Sequence, residues 1–336
     1  MQQKHAPRPL PLFLELVRSS SQTEPELAAK ALDGLSKYEK AERHDCRPVR
    51  KMLARVGGAS VRDCGGSGRP AVLVPSLINP PDVLDLDEDV SLADAVATIG
   101  RRALLLDWGP ASERTDVDLG GHIEQLLVPL LHALGEPASL IGYCLGGTMA
   151  IAAANLAPVE KVAALAAPWR FSAYPPETRT SLQQLWQAAA PAANELNALP
   201  MEVLQSAFWS LDPRRTVAKF ASFADFAPGS ADARRFVTLE DWANEGEPLP
   251  YPAARELIED LFGNDLPGSG RWLVGGSPVT DRVGCPLLNI TAAADRIAPA
   301  GTAAAGNAVR ISSGHVGMIV GSARAQLHEA LAKFLA

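Results

Sequence analysis

The sequence predicts an α/β fold: a mostly parallel central sheet with helices on both faces and a subdomain inserted late in the chain. Three observations predict it. Short apolar runs read as strands buried on both faces: "AVLVPSLI" (71–78), "RALLLDW" (102–108), "ASLIGYC" (138–144) and "VAALAAP" (162–168). Helical patterns alternate with them. These are "SLADAVATIG" (91–100), ended by Gly100, "LGGHIEQLLVPLLHALG" (119–135), with a bend at Pro129, and residues 145–157. The alternation stops after residue 168 and resumes with the strands "CPLLNITAAAD" (285–295) and "NAVRIS" (307–312) and a closing helix over 322–335.

The core is therefore expected over residues 51–168 and 283–336, with 169–282 as an inserted cap or lid. That insert is rich in tryptophan and proline and carries helical patterns in "SLQQLWQAAAPAANELNAL" (181–199) and "PAARELIEDLF" (252–262). An insertion at this point caps the carboxyl ends of the strands, where α/β sheets bind ligands. Residues 1–50 form an N-terminal extension. Its first 22 residues read as loosely structured. Thr23-Glu-Pro-Glu26 then reads as a capping box that opens a helix bearing Leu27, Leu32, Leu35 and Tyr38.

Composition narrows the function. A 336-residue chain that is 47% hydrophobic has ample material for a large core. A net charge of −7 with no basic block argues against nucleic acid. "PLPLFLELV" (9–17) is too short, and too interrupted by Pro11 and Glu15, for a signal-peptide core. No run of 18 apolar residues suggests a membrane span. The cysteines, Cys46, Cys64, Cys144 and Cys285, form no C-x-x-C pair and sit near no histidine at ligand spacing. Neither a structural metal nor a cofactor is expected, and the thiols read as reduced in a cytoplasmic protein.

Chemistry concentrates at "GYCLGGT" (142–148), where a strand pattern meets a helix pattern. Gly142-Tyr-Cys144-Leu-Gly146 fits a nucleophile elbow with Cys in place of Ser. In such a turn, glycines at −2 and +2 let neighbouring backbone approach a strained central residue. The following helix favours an anionic sulfur through its dipole, and the Leu145 N–H can stabilise an oxyanion. The bland alternative is a buried cysteine in a tight turn. An elbow of this kind needs an acid and then a histidine later in the chain. Asp295 ends the strand "LLNITAAAD", and His315 follows in "SSGHVGMIVG". His315 would act as general base, with Asp295 orienting its imidazole. The alternatives are a turn or cap aspartate and an ordinary loop histidine. The second oxyanion donor is expected from the backbone of Leu77 or Ile78, after "AVLVP". Trp108 serves either cap packing or substrate contact. His122 and His132 are too far apart on one helix to form a ligand pair, and His5, His44 and His328 look exposed.

Taken together, "VLVPSLINPPDVLDL" (72–86), "LLLDWG" (104–109), "GYCLGGT", "DRIAP" (295–299) and "SGHVGMIVG" (313–321) resemble the polyhydroxyalkanoate synthase family. The insert is similar to that family in "FVTLEDWANEGEPLPYPAARELIEDLFGNDL" (236–266) and in "GRWLVGGSPVTDRVGCPLLNI" (270–290). The resemblance implies an α/β-hydrolase fold with a Cys144–His315–Asp295 triad and no metal or cofactor. It implies that 3-hydroxyacyl-CoA is polymerised through a Cys-bound thioester, with CoA released. A short N-terminal extension matches the synthases that work with a second subunit, and the resemblance further implies a homodimer at a polyester granule surface. Two features depart from the family pattern. "DRIAPA" lacks the bulky residue that often follows its proline, and Tyr143 and Met149 flank the box at variable positions. The alternative is a thioesterase, esterase or polyester depolymerase on the same scaffold.

Overall fold

The structure, a computed structural model, describes residues 5–43 and 49–336. His44 and Cys46 lie outside the described residues. The N-terminal extension corrects the expectation of loose structure, because Leu10–Ser21 is a helix, α1. Pro9 and Pro11 flank its start, where a missing N–H leaves no intrahelical bond unmade. Phe13 and Val17, one turn apart, bury its apolar face.

The next helix, α2, spans Pro25–Lys40, but the expected capping box does not form. Glu24 occupies the cap without a side-chain bond, and Pro25 holds the first helical position. Thr23 instead donates its N–H to Ser20 O, closing the turn from α1. The buried face of α2 is Ala28, Ala31, Leu35 and Tyr38, and Leu32 is 46% exposed. Small residues on this face permit close backbone approach. A Cβ on Gly34 would overlap the carbonyl of Phe220.

An eight-stranded sheet forms the larger part of the molecule. Its strands are β1 (Lys51–Val56), β2 (Ala59–Gly65), β3 (Pro70–Val74), β4 (Arg102–Asp107), β5 (Ala138–Tyr143), β6 (Val159–Leu165), β7 (Leu287–Ala292) and β8 (Asn307–Ile311). The order is β1-β2-β4-β3-β5-β6-β7-β8. β1 and β2 pair antiparallel, as do β2 and β4, and every other neighbouring pair is parallel. β3 and β5 are buried at every position, which is why their sequences are unbroken apolar runs.

Helix α3 (Leu92–Thr98) is capped by Ser91, whose hydroxyl accepts the Asp94 N–H at 2.9 Å. Helix α4 runs through Leu119–Gly121, a π-helical stretch His122–Leu127, and Val128–Ala133. That π-helical stretch precedes Pro129, where a bend is expected, and the proline has no N–H for an α-helical bond. Helix α5 (Leu145–Ala153) follows β5 directly and is buried at every residue.

After β6 come α6 (Pro176–Glu195), α7 (Met201–Ser210), α8 (Pro213–Ala224) and α9 (Ala231–Asn244). A helical run of Tyr251–Arg255 and Glu256–Gly263 and a last helix, Arg324–Leu335, complete the chain. Contacts divide the chain into two compact units. One holds the sheet and comprises 47–199 and 247–336. The other joins 1–46 to 200–246, so that α1 and α2 share a core with α8 and α9. Phe13, Tyr38, Trp209, Phe220 and Phe223 are buried in that core. Among the described residues no helix is long and apolar enough to cross a membrane.

Candidate active site

Cys144 stands between the end of β5 and the start of α5. Its backbone is at φ 56°, ψ −129°, a conformation that side-chain-bearing residues adopt only under strain. The turn is held by its surroundings. The Cys144 N–H donates to Leu165 O on β6 at 2.9 Å, and the Gly147 N–H returns to Cys144 O at 2.9 Å. The flanking glycines are sterically required. A Cβ on Gly142 would overlap the backbone of Gly146 and Gly147, and one on Gly147 would strike the Ala167 side chain. A Cβ on Gly146 would overlap the carbonyl oxygens of Val74 and Pro75. The first turn of α5 therefore lies directly against the loop that follows β3.

The acid and the histidine come from adjacent strand ends. The Ala294 N–H donates to Ser313 O at 2.9 Å, tying the loop after β7 to the loop after β8. Asp295 closes its own turn, with Oδ1 accepting from the N–H groups of Ile297 and Ala298, each at 2.8 Å. Its second oxygen accepts from His315 Nδ1 at 2.6 Å. The two side chains are 0% and 7% exposed, so little water competes for that bond. With Nδ1 committed as donor, Nε2 is the ring nitrogen left for the Cys144 side chain, with which the imidazole also hydrogen-bonds. Burial alone would favour neutral imidazole. The negative charge of Cys144 and the bond to Asp295 outweigh it and push His315 up to about 10. The pocket thus favours the imidazolium form of His315.

The expected oxyanion donors come from two segments. Leu145 opens α5, where an N–H has no intrahelical acceptor. Leu77 and Ile78 are buried in the loop after β3, and the Ile78 N–H is engaged by Ser76 Oγ at 3.3 Å. Trp108 is buried and donates Nε1–H to Pro75 O at 3.0 Å, so it braces this loop. Glu247 braces the loop from the other side. Its N–H donates to Ile78 O at 3.1 Å, and its carboxylate accepts from Ala111 N.

Sequence reasoning gave no role to three residues near the site. Glu247 is one. Tyr143 packs its ring on the His315 imidazole, and Tyr174 donates its hydroxyl to Ile297 O at 2.9 Å, bracing the loop that bears Asp295. Both tyrosines are buried, and burial, then the charges of Cys144 and Asp295, push their hydroxyl pKa well up.

The remaining histidines and thiols lie elsewhere. His122 is fully buried against Trp108 and Arg114, and His132 is exposed. His5 and His328 are partly buried, correcting the expectation that both are exposed; His328 lies on the last helix. Cys64 and Cys285 are unbridged. Burial raises both thiols, Cys64 to about 12, which suppresses their reactivity. Among the described residues no cluster of three His, Cys, Asp or Glu is placed to hold a metal ion.

No protein-family model matches the chain. Individual proteins do. The chain is 26% identical over 289 residues to the poly(3-hydroxyalkanoate) polymerase subunit PhaC of Allochromatium vinosum, covering 79% of this chain and 80% of that protein. It is 25% identical over 293 residues to the PhaC subunit of Synechocystis sp., covering 79% and 77%. Among solved structures, epoxide hydrolase A from Mycobacterium thermoresistibile matches with a TM-score of 0.54 at 16% identity, covering 86% of this chain and 98% of that one. The chain is similar to these PhaC subunits along most of its length and has an α/β-hydrolase-type fold. The fold likeness rests on the structural match, and the likeness to PhaC on the sequence matches. The family resemblance read from the motifs is thus met over most of the chain's length.

Proposed function

We propose that this PhaC-like chain is an acyltransferase that polymerises 3-hydroxyacyl-CoA into polyhydroxyalkanoate, with Cys144 as nucleophile, His315 as base and Asp295 as its orienting acid. The observation that carries the reading is the placement of the buried His315 between Asp295 and Cys144 in a chain similar to PhaC along most of its length.

The reaction proceeds in two transfers. Cys144 gives its thiol proton to His315 Nε2, and its sulfur attacks the thioester carbonyl of the acyl-CoA. The carbonyl–sulfur bond to CoA breaks, and the leaving CoA thiolate takes a proton from His315 Nε2. The hydroxyl of a second 3-hydroxyacyl unit then attacks the acyl-cysteine. His315 accepts its proton, an ester bond forms, and the Cys144 sulfur is released. The backbone N–H of Leu145, with a second donor from Leu77 or Ile78, faces the oxyanion of each tetrahedral intermediate. A cysteine thioester keeps the free energy of the CoA thioester, so transfer to an alcohol stays downhill. A serine ester would make that transfer nearly thermoneutral.

The same reading includes a CoA thioester as substrate rather than a bound cofactor, a second synthase subunit as partner, homodimerisation, and a cytoplasmic location at the polyester granule. The test is to supply 3-hydroxybutyryl-CoA to the purified protein, with Cys144→Ala as control. CoA release is followed and the acyl product is identified by mass spectrometry. Ester-linked oligomer or insoluble polyester is the expected product. Free 3-hydroxybutyrate as the sole product would place the protein among the hydrolases.

A further inference from the structure

Tyr143 is the residue immediately before the nucleophile, and it contacts the base in two ways. Its ring lies 5.0 Å from the His315 imidazole, centroid to centroid, with the planes inclined by 34°. Its hydroxyl donates to the His315 backbone carbonyl at 3.4 Å. Both side chains are buried, and Asp295 engages only the Nδ1 edge of the imidazole. A hydrogen bond at one edge leaves the ring free to pivot about that bond. A flat surface against the ring face removes that freedom. His315 itself lies between the end of β8 and a short helix, Gly317–Val320.

We propose that Tyr143 is a positioning residue for proton transfer, setting the plane and depth of His315 against Cys144 and favouring the imidazolium through its aromatic face. This rests on the reading of Cys144 and His315 as nucleophile and base. The physical basis is twofold. The electron-rich face of an aromatic ring attracts a cation, and the attraction grows when water is excluded. Because Tyr143 is bonded to Cys144 through the backbone, the spacing of base and nucleophile is set within one strand end rather than across three loops. An imidazolium held there favours the thiolate, so loss of the ring lowers the thiolate fraction at neutral pH.

The test is the pH profile of Cys144 alkylation by iodoacetamide, read by peptide mass spectrometry and needing no acyl-CoA. The parent and Tyr143→Phe should alkylate within about threefold of each other at pH 7. Tyr143→Met, which keeps bulk without an aromatic face, should alkylate at least about tenfold more slowly. Its midpoint should lie at higher pH than the parent's. In acyl-CoA turnover the same variant should lose kcat with little change in KM, and Tyr143→Phe should restore it. A parent-like profile for Tyr143→Met would overturn the proposal. If that variant does not fold, a series of progressively fluorinated phenylalanines at position 143 keeps the shape while weakening the ring face. Alkylation should slow along the series, and a flat series would overturn the proposal. A parent protein that alkylates rapidly yet leaves acyl-CoA untouched would count against the polymerase reading and leave this proposal standing.

Discussion

Asp295 Oδ1 and Oδ2 face in different directions: Oδ1 accepts two backbone N–H groups of its own loop, and Oδ2 accepts His315 Nδ1 at 2.6 Å. The carboxylate is therefore locked from both sides. An amide at this position would keep its oxygen on the two backbone donors and turn its N–H₂ toward the imidazole. Nδ1 would then have to accept, the ring proton would move to Nε2, and Nε2 could no longer take a proton from the sulfur. Asp295→Asn should fold normally and lose on the order of 10⁴ in kcat. Steady-state CoA release, alongside circular dichroism, checks this. Activity within tenfold of the parent would show that Asp295 does not set the tautomer.

Gly146 makes a prediction about stability rather than chemistry. A Cβ there would overlap two carbonyl oxygens of the loop after β3, and the buried backbone on both sides leaves it no room to give. Gly146→Ala should destabilise the protein by several kcal/mol or prevent folding, in the upper range of single substitutions. Gly284→Ala is the contrast, since a Cβ there meets nothing within 4 Å. It should stay within about 0.5 kcal/mol of the parent. Thermal melts of the two variants separate a steric requirement from a general dislike of substitution.

His122 should give the folded state a pH dependence unrelated to the active site. It is buried, its Nδ1–H donates to Asp118 O at 2.6 Å, and its Nε2 accepts from Arg114 at 3.1 Å. Burial pushes its pKa down to about 4 from 6.5. The folded form therefore holds the neutral ring while the unfolded chain takes up a proton. This contribution is complete above pH 6.5 and is lost as pH falls toward 4, amounting to on the order of 3 kcal/mol. Urea titrations at pH 7 and pH 4.5 should show a smaller difference for His122→Gln than for the parent. Equal differences would mean that other groups carry the acid sensitivity.

Much of the sheet and the elbow could be read directly from the sequence, for a physical reason. Strands buried on both faces must be apolar throughout, so β3 to β6 announce themselves, and the glycines around Cys144 are forced by backbone overlap. Asp295 and His315 stood out in the sequence because each follows closely on a recognisable strand, β7 and β8. The α1 helix was hidden by Pro9 and Pro11, which act as breakers in a helix interior but not at its start. The true face of α2 was hidden because alanine and Gly34, rather than leucine, make the close contact with Phe220. The pairing of 1–46 with 200–246 leaves no periodic signal, since it depends on two segments meeting across the chain. The roles of Tyr143 and Glu247 were hidden for a related reason: a buried aromatic and a half-buried carboxylate look ordinary until their partners, His315 and the loop at Ile78, are known.

The central claim is that Cys144 carries the acyl group, and trapping it covalently tests that most directly. The protein is mixed with 3-hydroxybutyryl-CoA, quenched in acid within a fraction of the turnover time, and digested for mass spectrometry. The account predicts a hydroxybutyryl adduct on the peptide containing Cys144, labile to hydroxylamine, formed as CoA appears and absent from Cys144→Ala. CoA release by the parent with no adduct at Cys144, or undiminished release by Cys144→Ala, would contradict it.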